Sequence, residues 1–159
     1  LGAVLAALVV IVSAAATVDA ARRGATPIPG VPPHVFLTVP FFDMLMLAAF
    51  FGLGLRLRAR RPESHKRLMF LGTVLMTAPA FGRLIPIWDQ PLLFAAMPHT
   101  IWLLPLGFVL AGIIFDLATR RGVSPVYLWG GLAIAAMSPL RFMIAGSPPW
   151  EAFAGWLAG

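Results

Sequence analysis

Four ionisable side chains stand almost alone in apolar surroundings in this chain: Asp43, Arg83, His99 and Arg141. A charge in hydrocarbon costs about 2.5–3.5 kcal/mol on insertion scales, so a sequence keeps one there where it is paired or used. The natural arrangement shares the Asp43 carboxylate between Arg83 and Arg141, with His99 close by. Two cations against one anion leave a spare positive charge, suited to an anionic ligand, a quinone carbonyl or a lipid headgroup. Without a ligand, the same four residues make an ion-pair clasp that fastens helices together. Snorkelling of both arginines to the membrane surface would remove either role.

Histidines at helical positions invite b-type haem, which a helical bundle can hold between two imidazoles. The candidates are His65, His99 and His34. His34 follows a proline-rich stretch, a poor platform for an axial ligand. His65 shares a helix face with Met69 four residues on, and its plainer role is a helix-entry residue near lipid phosphates. With no cysteine there is no thiolate chemistry, disulfide or Cys-ligated metal. The sequence contains no phosphate-cradling loop, zinc-protease motif, nucleophile elbow or paired catalytic carboxylates. The expectation is therefore a binding protein rather than an enzyme, with no metal site.

These residues need helices to carry them. Five stretches of about 20 apolar residues fill the chain, approximately 1–21, 35–55, 68–88, 92–115 and 126–146, and each is long enough for a ~30 Å hydrocarbon core. Counted from one membrane face, Asp43 lies ~18 Å up its span, Arg83 ~22 Å, His99 ~24 Å and Arg141 ~22 Å. All four fall in one layer. The segment 25–33 carries four prolines and reads as an extended loop. Pro62-Glu63-Ser64 reads as a helix start, and residues 116–125 read as a turn in which Asp116 pairs with Arg120. Beyond Gly146, Pro148-Pro149-Trp150-Glu151 opens a short helix whose Trp150, Phe153, Trp156 and Leu157 suit a lipid interface.

Composition agrees. The 159 residues are 60% hydrophobic and 11% charged, with mean hydropathy +0.89. Soluble domains average ~25% charged residues. One such domain cannot hide this much apolar surface, so lipid must cover it. The net charge of +6 then reads as a topology signal rather than as nucleic-acid affinity. Arg56, Arg58, Arg60, Arg61, Lys66 and Arg67 crowd one turn, where they would contact anionic lipid or simply mark the cytoplasmic side. Arg120 and Arg121 share that side by helix count, which puts Leu1 inside and Gly159 outside. The opening at Leu1, within an apolar run, reads as an N-terminally truncated fragment whose first segment is a true span rather than a signal-peptide core.

At His65-Lys66-Arg67-Leu68-Met69, after an Arg-rich turn, the chain resembles a group of uncharacterised bacterial polytopic membrane proteins. The resemblance continues at Phe81-Gly82-Arg83-Leu84, through residues 115–131, and at Pro139-Leu140-Arg141 and Trp150. It implies a multi-pass protein of the bacterial inner membrane and carries no established reaction. Where that pattern has His before the proline of the fourth turn, this chain has Ser124, and the pattern's further His-bearing segment would lie upstream of Leu1. A haem on the cytoplasmic side would lack those ligands here. A looser likeness links the chain to small His-containing membrane families of oxidase assembly and b-type cytochromes.

The expectation is thus an all-α integral membrane bundle in a single domain over residues 1–159, with five transmembrane helices and a short C-terminal interfacial helix. It would bind a small ligand or partner at the polar layer. The alternatives are a haem b- or quinone-linked redox protein and, third, a transporter-like subunit using proline-broken spans.

Overall fold

The computed structural model describes residues 2–24, 31–77 and 91–159, with the side chains of residues 3, 91–102 and 138 outside that description. Six helices account for nearly all of it, and no strand occurs among the described residues. They are α1 (Gly2–Arg22), α2 (Pro33–Leu57), α3 (Pro62–Leu75), α4 (Pro91–Arg120), α5 (Pro125–Ala145) and α6 (Pro148–Ala158). Every helix after α1 begins on a proline. A first helical residue needs no amide partner, and the ring presets the helical φ, so proline starts a helix at no hydrogen-bond cost. At the far end of α1, Gly24 takes a left-handed φ of 59°, and its amide closes onto the Ala21 carbonyl at 3.1 Å, a glycine C-cap.

Among the described residues, four stretches are long and apolar enough to cross a membrane: Val4–Arg22, Pro33–Leu57, Leu103–Arg120 and Pro125–Ala145. Side chains along α1 such as Leu8, Ile11 and Val12 are half or more exposed, a surface compatible with lipid and costly in water. The expected span over residues 68–88 is described only to residue 77, so Pro79, Arg83, the Phe81–Leu84 motif and Trp88 lie outside the described residues. Two boundaries differ from the sequence expectation. Helix α2 runs beyond 35–55 at both ends, started by Pro33 and carried through Arg56. Helix α4 does not turn at Asp116 but continues to Arg120, because Asp116 finds its partner on another helix.

The chain divides into two compact units, residues 1–49 with 137–159, and residues 50–136. In the first, α1 packs on α6. Its core is Leu37, Trp150 and Ala154, with Phe41, Phe42, Ile144 and Phe153 against them. The Trp150 indole N–H donates to the His34 carbonyl at 2.8 Å, and Phe41 meets its ring edge-on at 5.3 Å. Trp150 is therefore a core residue, not the lipid-facing anchor expected. Trp156, 76% exposed, faces outward.

In the second unit α3 packs on α4, burying Leu68, Leu71, Val74, Leu75, Val109, Tyr127 and Ile134. Contact is close because glycines stand where side chains press. A Cβ on Gly112 would come within 2.7–3.0 Å of the Tyr127 ring, so the ring packs directly on the α4 backbone.

Candidate functional site

In the first unit, the apolar run of α2 carries Asp43 and that of α5 carries Arg141. Both are buried, 6% and 3% exposed. Arg141 Nη2 donates to Asp43 Oδ1 at 3.1 Å, and Arg141 Nε reaches the Met137 carbonyl at 3.4 Å. Among the described residues, Asp43 Oδ2 accepts no hydrogen bond. Two of the four residues of the expected polar layer are thereby brought together. Arg83 lies outside the described residues, and His99 lies on α4 with its side chain outside the description.

A second centre, larger and not anticipated, occupies the second unit. Arg67 is 8% exposed and Asp116 2%. Arg67 Nη2 donates to Asp116 Oδ1 at 2.6 Å and Nε donates to Oδ2 at 2.9 Å, the fork-to-fork geometry that fits a guanidinium to a carboxylate. The third nitrogen, Nη1, donates to the Glu63 carbonyl at 3.0 Å and to Glu63 Oε2 at 3.3 Å. Glu63 also accepts from Arg120 and, at 3.2 Å, from Lys66. The Ser124 amide donates to Asp116 Oδ2 at 3.2 Å, and the Arg67 guanidinium lies 5.7 Å from the Tyr127 ring centroid. An open cleft of about 250 Å³ runs past Glu63, Ser64, Arg67, Asp116, Arg120 and residues 122–124.

The expected Asp116–Arg120 pair within one helix does not form. Asp116 crosses to Arg67, 49 residues away, where a two-bond fork encloses it, and Arg120 crosses to the half-exposed Glu63. Arg67, expected at the lipid surface, is drawn inward and committed to these carboxylates. The hydrogen bond from Lys66, reinforced by the positive charge of Arg120, holds the Glu63 carboxyl below the usual glutamate range. The Asp116 hydrogen bond raises the Arg67 guanidinium further above its already high value. The shifts of Glu63 and Arg67 both favour the charged form, as in an electrostatic clasp.

His34 and His65 belong to different units, and the side chain of His99 lies outside the described residues. His34 sits in the first turn of α2 and offers its carbonyl to Trp150. The His65 Nδ1–H donates to the Gly54 carbonyl at 2.8 Å, satisfying one of the orphan acceptors in the last turns of α2. Among the described residues no three of His, Asp or Glu gather as metal ligands would. Arg56, Arg58, Arg60, Arg61 and Lys66 are exposed. Compared with known proteins, the chain matches no family model, no curated protein and no solved structure.

Proposed function

We propose that this chain is a five-span integral protein of the bacterial inner membrane that binds a small polar ligand or partner at Asp43 rather than catalysing a reaction. A single observation carries the reading: a buried carboxylate in an apolar helix is bonded through one oxygen, while its second oxygen accepts no hydrogen bond among the described residues. A ligand that brings a hydroxyl or amine donor to that second oxygen adds a charge-assisted hydrogen bond there. The orientation with Leu1 inside draws support from the pairs Arg67–Asp116 and Arg120–Glu63, which tie the basic turn before α3 to the basic turn after α4. Both turns then lie on one side of the membrane, as the positive-inside rule requires.

The test uses the full chain in detergent and a panel of small quinols, amines and polyols. A compound that raises the thermal midpoint of the native protein and leaves Asp43→Asn unmoved supports the site. If no compound separates the two proteins, Asp43 and Arg141 are a structural clasp alone.

A second reading, a haem-linked redox protein, is favoured by His65. With Nδ1–H given to the Gly54 carbonyl, Nε2 carries the free lone pair, which is how iron-ligating histidines are commonly held. A Soret band lost in His65→Ala supports it. A colourless full-length protein overturns it.

A further inference from the structure

The second unit carries far more positive charge than its clasp uses. Its described residues include eight cations, Arg56, Arg58, Arg60, Arg61, Lys66, Arg67, Arg120 and Arg121, against two carboxylates, Glu63 and Asp116. Lys66, Arg67 and Arg120 take up both carboxylates. The other five arginines are exposed, and none has a side-chain ion pair or hydrogen bond among the described residues. All five sit in the two turns that the clasp holds together, at the ends of helices long and apolar enough to cross a membrane.

Two ordinary explanations fall short. The negative end of the α2 dipole amounts to roughly half a charge, which one arginine would answer, and four are present within residues 56–61. Arg121 is harder to dismiss. It follows the last residue of α4 with φ 54°, a left-handed position that glycine occupies without strain. Gly122 stands next to it, yet the strained position is given to an arginine.

We propose that this end of the second unit is a binding site for the phosphate headgroups of acidic phospholipids, held by Arg56, Arg58, Arg60, Arg61 and Arg121. Guanidinium groups pair with phosphate oxygens through two parallel N–H donors, and cations at this depth face the headgroup layer of an anionic leaflet. The clasp, three cations on two carboxylates, serves as the floor. Its carboxylates are already spent on Lys66, Arg67 and Arg120, so they do not compete for the five.

The full chain in a neutral detergent is titrated with short-chain phosphatidylglycerol, with short-chain phosphatidylcholine and with millimolar inorganic phosphate, and the thermal midpoint is followed. Phosphatidylglycerol should raise the midpoint far more than phosphatidylcholine does, and less so as salt is added. Inorganic phosphate should have little effect. A variant with Gln at 56, 58, 60, 61 and 121 should need roughly tenfold more phosphatidylglycerol or worse. A variant with Lys at the same five positions keeps charge and topology signal and should retain most of the response. Equal responses to the two lipids, a response insensitive to salt, the same shift from free phosphate, or a Gln variant that behaves as the native protein each overturns the site. If the Gln variant does not accumulate, the lipid preference and salt dependence of the native and Lys proteins decide.

Discussion

Arg141 reaches Asp43 through one bond of 3.1 Å, whereas Arg67 grips Asp116 through two, of 2.6 and 2.9 Å, beside the turn that carries Ser124. The second centre is also shared: Glu63, Lys66, Arg120, Ser124 and the Tyr127 ring all take part. The contrast follows from the surroundings. Inside an apolar span each charge needs a counter-charge, and further polar groups are expensive to supply. Beside a turn, free backbone amides such as that of Ser124 and long side chains are at hand, so a network can grow.

That difference should appear first on breaking each pair from the arginine side. Arg141→Met strands the Asp43 carboxylate and should cost about 3–5 kcal/mol, as loss of one partner of a buried pair does. Chemical unfolding in detergent reads this directly. A cost below that of the matching change in the other centre would reverse the ranking. Arg67→Met should cost less, about 1.5–3 kcal/mol, because Asp116 keeps the Ser124 amide and Glu63 keeps Arg120 and Lys66. Smaller again is Gly112→Ala, about 1–3 kcal/mol from pushing the Tyr127 ring off α4. Because Arg67 lies against that ring, the alanine should also blunt the effect of Arg67→Met in the double variant.

Acid should give the smallest effect. The Glu63 carboxyl is held below its usual range by Lys66 and Arg120, so the folded state binds its proton less readily than the unfolded chain. Its contribution is complete above the unfolded glutamate value and is lost as pH falls through the lower folded value. A thermal-midpoint series should therefore be flat near neutrality and drop only in that acidic window. Glu63→Gln should shrink the drop. A drop centred near neutral pH would rule out Glu63 as its source.

Much of the fold is legible in the residues. The prolines at 62 and 148 mark helix starts, and apolar length marks the membrane-crossing candidates, whereas Pro33 and Pro125 read as loop and turn residues although each begins a helix. Asp43 and Arg141 stood out because a charge within an apolar run is conspicuous, and equal rise along two helices put them on one level. The larger centre was hidden. Asp116 has Arg120 one turn away, so spacing favoured a local pair, and no pattern in the sequence points from residue 116 to residue 67. Trp150 was read as a lipid anchor because an aromatic residue at a helix start suits an interface equally well from either side.

Composition and axial rise were enough to settle that this chain is helical and apolar enough to meet a membrane, and at what height along each helix its charges lie. Rotation was left open. A helix that is apolar nearly all round has no hydropathic preference for facing protein or lipid. Its azimuth is set by shape instead, by a glycine that admits a tyrosine ring or an arginine fork that fits one carboxylate. Only tertiary packing could therefore decide that Arg67 turns inward to Asp116 while its neighbours at 56–61 stay outside.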